Sequence, residues 1–205
     1  MQMDRSENKA SLRGLAAAAP VLSHENHGVG YWTFPLSVRR LSGSEDVLNV
    51  IASEELLAAC PVEAGMGLEV EGEVRSFNNK SGTGSRLVIT LYARTLTPAV
   101  GEHSNRLLLS GVLCKPPVLR RTPLGREICD LMLAVNRRYG RADYLPCIAW
   151  GAVAARCGAM AVGDPLRLEG RLQSRGYTKL VEGQAQERIA YEISVMRLVE
   201  EEEAT

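Results

Sequence analysis

The chain is poor in aromatic residues, which make up only 5% of its 205 residues and comprise two Trp, six Tyr and two Phe. It also lacks an excess of charge, because 24 Lys and Arg balance 24 Asp and Glu. A neutral average gives no argument for a polyanionic partner. Since large rings are so few, the position of each one has to be explained.

Cysteine and histidine are sparse and badly spaced for metal binding. The five cysteines include no C-x-x-C pair, their number is odd, and the three histidines lie far from them in sequence. We therefore expect no metal site, no disulfide framework and no cofactor, with buried reduced thiols as the default. The cysteines are Cys60, Cys114, Cys129, Cys147 and Cys157.

The sequence gives no support for an enzyme. His24 and His27 are predicted in a loop and His103 in the segment between two domains. No nucleophile with a neighbouring base and no pair of carboxylates stands out. We therefore predict a non-enzymatic protein without catalytic residues.

Long apolar runs are absent as well. The stretch from Arg13 to Pro20 looks like a signal peptide, but it is short, weakly apolar and aligns with a strand in a second copy of the same pattern. Nothing approaches the about 20 apolar residues of a membrane-spanning helix. The sequence therefore predicts a cytoplasmic protein without membrane contact.

Charge is distributed unevenly, although it sums to zero. Residues 1–104 carry 9 Lys and Arg against 12 Asp and Glu, whereas residues 105–199 carry 15 against 8. Residues 200–203 are four glutamates. A basic domain followed by a short acidic run is typical of proteins that bind nucleic acid.

The chain matches itself when it is shifted by 97 residues. This period is about one small domain, so we predict two copies of a single fold in tandem. The predicted segments are a flexible 1–9, a first domain over 10–100, a second over 101–199 and an acidic end over 200–205. The matches include Leu12 with Leu109, Gly14 with Gly111, Phe34 with Leu131, Arg40 with Arg137, Ile51 with Ile148 and Cys60 with Cys157.

Alternating apolar residues in the second copy predict three strands, one helix and two further strands. This order in fewer than 100 residues is that of the OB-fold, an all-β five-stranded barrel with one short helix between strands three and four. We predict two such barrels in tandem. The predicted strands are 105–113, 126–136, 144–149, 166–172 and 188–198; 150–160 is the helix, and 114–125 and 175–186 are loops.

The second copy resembles the bacterial single-stranded-DNA-binding protein family over residues 105–198. The motifs that carry the resemblance are 131–137 (LMLAVNR), 147–151 (CIAWG), 163–164 (GD) and 168–175 (LEGRLQSR). The resemblance implies an OB barrel that binds single-stranded DNA without sequence preference, in replication, recombination or repair. In that family, which is itself a standard example of single-strand binding by stacking, the bases lie on aromatic rings at the barrel surface.

The family's stacking positions fall on four aromatic residues here, which are Tyr139, Tyr144, Trp150 and Tyr177. Every base has a π-face, so such rings give affinity without selecting a sequence. The alternative is that they are ordinary core or half-exposed barrel rings. Basic side chains around them are candidates for phosphate contacts, although any single one could be a solvated surface residue. These are Lys115, Arg120, Arg121, Arg137, Arg138, Arg141, Arg171, Arg175 and Lys179.

The first copy departs from this pattern at every stacking position. The aligned residues are Ser42, Val47, Ser53 and Asn79. Tyr31 and Trp32 align with residues inside the second strand and are interpreted as packing or interface residues rather than as a displaced set of stacking rings. The first barrel is therefore expected to have a structural or assembly role, or to contact DNA weakly.

The resemblance also bears on partners. Family members with two barrels per chain form dimers, so a homodimer with four barrels is expected. The family usually ends in a flexible linker and an acidic tip that recruits replication and repair proteins. Here Glu200–Glu203 are followed by Ala204 and Thr205, with neither a linker nor a terminal aromatic residue. Replication and repair proteins remain possible partners, but recruitment by the usual tip is not expected. The alternative function is an assembly or adaptor protein in replication restart, plasmid or phage biology, whose barrels mainly bind protein.

Overall fold

The computed structural model describes residues 7–79, 87–137, 140–181 and 183–200. These residues form two compact units. The first-barrel unit comprises Lys9–Arg106 and Gln173–Tyr191, and the second-barrel unit comprises Leu107–Leu172 with residues 7–8 and 192–200. Residues 173–191, which the sequence assigned to the second domain, therefore group with the first barrel.

Within its described residues, the first copy contains six strands and one helix. Its strands follow the spatial order β2, β3, β4, β6, β5, β1, and an additional pairing of β1 with β3 closes the barrel. The pairing of β4 with β6 is parallel and the others are antiparallel. The elements are β1 Asn8–Ala16, β2 Val21–Asn26, β3 Val29–Arg39, β4 Glu45–Ser53, α1 Glu54–Ala59, β5 Gly67–Asn78 and β6 Leu87–Pro98.

The core of the first barrel is aliphatic and follows the two-residue period of its strands. Phe34, Leu36 and Val38 on β3 are at most 2% exposed, as are Leu48 and Val50 on β4. Alternate side chains of a strand point to opposite faces, so the residues between them lie on the outside. This alternation fixes which rings can reach a ligand.

The second copy repeats the same order within the residues that the structure describes. Its strands follow the order β7, β11, β12, β10, β9, β8, and β7 also pairs with β9. The elements are β7 Ser104–Leu113, β8 Val118–Arg121, β9 Glu127–Asn136, β10 Ala142–Trp150, α2 Gly151–Gly158, β11 Pro165–Val181 and β12 Gln184–Leu198. The predicted fold, two tandem OB barrels with a short helix after the third barrel strand, is confirmed.

Each barrel also carries a short strand that the sequence did not predict. Residues 114–125 are predicted as one loop, but β8 lies within them and pairs with β9. The prolines at 116, 117 and 123 flank this strand rather than interrupt it, so they do not prevent its pairing. Its counterpart β2 contains His24, which is therefore on a strand, whereas His27 lies in the following turn at φ 51°.

The second wrong prediction is the polar loop over 175–186. The structure instead extends β11 to Val181 and begins β12 at Gln184, which makes a long hairpin. Most side chains of its outer part are exposed on both faces, so no hydrophobic period marks them as strand. Tyr177 is consequently a strand residue and not a loop residue.

No helix among the described residues is long and apolar enough to span a membrane.

Candidate nucleic-acid interface

Two of the predicted stacking rings lie on one outer face of the second barrel. Tyr144 is 51% exposed and Trp150 is 42% exposed, whereas Leu145, Cys147 and Ala149 between them point into the core. Both rings are on β10 at an even separation, and six residues of strand place them roughly 20 Å apart. The two rings can therefore meet different bases of one strand, but cannot share a base.

The surface between the two rings is formed by β10 and the paired strand β9. Residues directly opposite in an antiparallel pair share a face. We call this surface the β9–β10 face; it comprises Asp130, Met132 and Ala134 on β9 and Tyr144, Pro146, Ile148 and Trp150 on β10. The outer face of the second and third barrel strands is where OB-folds bind oligonucleotides.

Of the two predicted cations on β8, Arg120 borders this face, whereas Arg121 lies on the opposite face of the strand, opposite Glu127. The guanidinium of Arg120 donates to both carboxylate oxygens of Asp130 at 2.6 and 3.1 Å, and Arg121 Nη2 donates to Glu127 Oε1 at 3.2 Å. The hydrogen bond to Asp130 raises the pKa of Arg120 above its ordinary value. The Arg120 and Arg121 side chains are 51% and 69% exposed, so their ion pairs are weak and leave both open to competition from phosphate.

Arg137 is placed differently, because it is held by the protein itself. Its Nε donates to Asp143 Oδ2 at 2.5 Å and its Nη2 to Asp143 Oδ1, and the Asp143 side chain is fully buried. The first barrel has the same pair, Arg40 with Asp46, at the aligned positions. Since the first barrel lacks the predicted rings and keeps this pair, we interpret it as part of the barrel architecture.

The remaining cations of the second-barrel unit have mixed environments. Lys115 and Arg141 are exposed. Arg171 is half-buried, and its Nε is buried without a hydrogen-bond partner among the described residues. Lys115 and Arg141 are therefore the more accessible candidates for phosphate.

Three predicted residues lie on the outer part of β11, which groups with the first barrel. Arg175, Tyr177 and Lys179 alternate along one face of this strand, with Tyr177 half-buried and the two cations exposed. They therefore belong to a different compact unit from Tyr144 and Trp150. Arg138 and Tyr139 lie outside the described residues.

The cysteines are free thiols, of which four are buried and Cys114 is half-buried. Burial raises the pKa of Cys157 to about 11 and that of Cys147 further. The thiols of Cys147 and Cys157 are therefore protonated and unreactive near neutral pH. The described part of the chain contains no group of His, Cys, Asp or Glu that is suited to a metal ion.

The first barrel contains a group of rings that the sequence comparison missed. The rings of His24 and Tyr31 stack with centroids 5.1 Å apart and planes 11° apart, and Tyr31 meets Tyr92 at 5.9 Å. The two Tyr hydroxyls are 3.3 Å apart. Burial, and then the hydrogen bond to Tyr31, raise the pKa of Tyr92 to about 12, so its hydroxyl is neutral near pH 7. No single position predicts this group, because its members come from three strands.

The fold and the β9–β10 face define a tandem OB-fold protein whose second barrel exposes two rings on one strand, β10. The model of the single-strand binding protein family matches residues 104–199. This match covers the second copy of the repeat, and relatives named single-stranded DNA-binding proteins, described next, support it.

The curated relatives match this chain over less than half of its length. Single-stranded DNA-binding protein 2 of Listeria innocua is 35% identical over 80 residues, which are 36% of this chain and 50% of the relative. The single-stranded DNA-binding protein of Bacillus cereus is 36% identical over 92 residues, which are 42% and 52% of the two chains. The chain thus spans about half the length of these relatives.

A solved structure covers both barrels. The wild-type single-stranded DNA binding protein from Thermus aquaticus superposes with a TM-score of 0.79 at 23% identity, over 98% of this chain and 96% of that chain. A deletion mutant of the same protein gives a TM-score of 0.79 at 24% identity. At this identity the likeness shows the fold, and it extends that fold to the first copy.

Proposed function

We propose that this chain is a non-enzymatic protein that binds single-stranded DNA without sequence preference, through the β9–β10 face of its second barrel. The observation that supports this most directly is the exposure of Tyr144 and Trp150 on one face of a barrel from the single-strand binding family. A stacked base contributes about 1–3 kcal/mol. Two rings with exposed faces therefore give a substantial share of the affinity, to which phosphate contacts add.

The position of Trp150 supports a binding role rather than a structural one. Trp150 is the N-cap residue of α2 but makes no side-chain capping hydrogen bond. In the first barrel, the aligned Ser53 caps α1 by accepting from Leu56 N. A good N-cap side chain contributes about 0.5–2 kcal/mol to the stability of its helix, so a half-exposed Trp at this position lowers the stability of α2. Base stacking explains why a ring occupies a capping position.

The proposal extends to assembly and biological role. Two barrels per chain and the prevalence of twofold symmetry support a homodimer that presents four barrels. Its place would be in DNA replication, recombination or repair, in the cytoplasm, as the family names of its relatives suggest. The alternative, an adaptor whose barrels mainly bind protein, is not favoured by the family match.

The chain contains two tryptophans, which makes a direct test possible. In a Trp32→Phe variant, Trp150 is the remaining tryptophan, and its fluorescence should be quenched as oligo-dT is titrated in, because stacking brings a base against the indole. The matched control is Trp150→Phe, in which Trp32 remains and should report much weaker quenching. If Trp150 fluorescence does not respond to saturating oligo-dT, the β9–β10 face is not the binding surface.

A further inference from the structure

The first barrel carries an outward-facing group of rings and cations, which we call the first-barrel ring cluster. It comprises His24 on β2, Tyr31 on β3, Tyr92 and Arg94 on β6, and Arg75 on the paired strand β5. Tyr31 alternates with the buried side chains of β3, so it lies on the outside of the barrel. His24 is exposed, which leaves the stack of rings accessible from solvent.

The pairing of the strands relates this cluster to the second barrel. Tyr31 on β3 pairs directly with Ser53 on β4. In the second barrel, Trp150 on β10 pairs with Ile128 on β9. Ser53 aligns with Trp150, and Tyr31 aligns with Ile128. Both barrels therefore carry one ring at this pair of positions. In the first barrel the ring is Tyr31, on the second barrel strand. In the second barrel it is Trp150, on the third barrel strand.

A second observation distinguishes the two ends of β4. Val47, which aligns with Tyr144, donates its backbone N–H to Ser174 Oγ at 3.1 Å. The neighbouring Asp46 accepts from Ser174 N at 2.8 Å, and Asn49 Nδ2 donates to the Tyr191 hydroxyl at 3.3 Å. The beginning of β4 is thus in contact with the long hairpin, whereas the end of β4, beside Tyr31, carries the cluster.

The charges of the cluster suit a phosphate chain. The Cζ atom of Arg94 lies 4.9 Å from the Tyr92 ring centroid and that of Arg75 lies 6.0 Å from it. Both arginines donate to Glu73, and the bond from Arg94 Nη2 to Glu73 Oε1 is 3.2 Å long. The Arg94 side chain is 54% exposed. A guanidinium on the edge of a ring stack is the arrangement that contacts a phosphate while a base stacks.

From these observations we propose that the first barrel binds single-stranded DNA at the first-barrel ring cluster, with bases stacked on the His24–Tyr31–Tyr92 rings and a phosphate at Arg94. The identity of the ligand rests on the proposed function of the second barrel. The site itself rests on the geometry of the first barrel. The first copy therefore keeps a stacking site, but at positions that differ from those of the second copy.

The test uses the full chain and an oligo-dT longer than about 16 nucleotides, the upper site size for one OB-fold. A Tyr144→Ala/Trp150→Ala double variant weakens the second barrel and serves as the background. Adding Tyr31→Ala to it should lower the residual affinity roughly 5- to 150-fold, as expected for a lost stacked base. Adding Tyr31→Phe should recover most of that loss, because the ring remains and only the hydroxyl is removed.

Two further variants distinguish a loss of DNA contacts from a loss of folding in the first barrel. Arg94→Ala removes an exposed side chain and should lower the residual affinity and its salt dependence without unfolding the barrel. Phe77→Ala is the matched control, because Phe77 is a 48% exposed ring of the same barrel outside the cluster, and it should leave the residual affinity unchanged.

The outcomes separate this inference from the proposed function. Unchanged residual binding in Tyr31→Ala and Arg94→Ala overturns the inference while the β9–β10 face stands, and so does a double variant that no longer binds at all. If the double variant binds like the unaltered chain and Tyr31→Ala lowers affinity, the cluster is supported and the β9–β10 face is not. A reduced molar mass of DNA-free Tyr31→Ala and Arg94→Ala in sedimentation would identify the cluster as an interface between copies and overturn the inference.

Discussion

At the scale of single residues, the two barrels show one position serving two purposes. Ser53 accepts a hydrogen bond from Leu56 N and begins a helix, whereas Trp150 begins the corresponding helix without a cap and exposes a ring. A residue at this position can satisfy an orphan backbone donor or offer a stacking surface, but no side chain does both well. The residue that is present therefore indicates which purpose this position serves in each barrel.

We expect two substitutions at Trp150 to lower the affinity for DNA equally but to differ in their effect on stability. Trp150→Ser and Trp150→Ala should lose the same affinity for oligo-dT, because both remove the ring. Trp150→Ser should be the more stable of the two by about 1 kcal/mol, since Ser can cap α2 and Ala cannot. Urea denaturation followed by circular dichroism measures the difference. Equal stability of the two variants would show that the backbone at residue 150 does not allow a cap.

At the scale of secondary-structure elements, the sequence predicted the strands that bury one face and missed the strands that bury neither. The barrel strands were found because one face of each is apolar, as on β9 and β10. The strand β8 and the outer part of the β11–β12 hairpin were predicted as loops, because nearly all of their side chains are exposed and no alternation marks them. Exposed strands are held by backbone pairing, which composition does not reveal.

Of the two candidate sites, one could be predicted from the sequence and the other could not. Tyr144 and Trp150 could be found because they coincide with single positions of a recognisable pattern. The first-barrel ring cluster could not, because the meeting of Tyr31 with Tyr92 and His24 depends on strand register across β2, β3, β4 and β6. Register is a property of the closed barrel and not of any one segment.

The hairpin gives a prediction at this scale. Ser174→Ala should remove the acceptor of the Val47 N–H and so destabilise the contact of the hairpin with β4 by about 1–3 kcal/mol. Hydrogen exchange at the Val47 amide should then accelerate, while amides in the core of β3 keep their protection. Thr178→Ala, an exposed residue on the same strand, is the control. Unaltered exchange at Val47 would mean that another group protects this amide.

At the scale of the whole molecule, the balance of charge hides a local excess. The first 104 residues have more acidic than basic residues, whereas residues 105–199 have 15 basic residues against 8 acidic ones. A chain of zero net charge has little long-range attraction for DNA, so electrostatic affinity has to arise from contacts at the site. Salt dependence should therefore report individual contacts more than overall charge.

Two substitutions that change the net charge equally can separate the effect of local contacts from that of overall charge. The logarithm of the oligo-dT binding constant should fall linearly with the logarithm of salt concentration, by about 0.7 per phosphate neutralised on a single strand. Arg141→Ala, at an exposed residue that precedes β10, should reduce this slope by up to about 0.7. Arg197→Ala removes an equal charge from β12, where Arg197 is paired with Glu169, and should leave the slope unchanged. Equal effects of the two substitutions would show that net charge, and not a localised path of phosphate contacts, sets the affinity of this protein for a single strand.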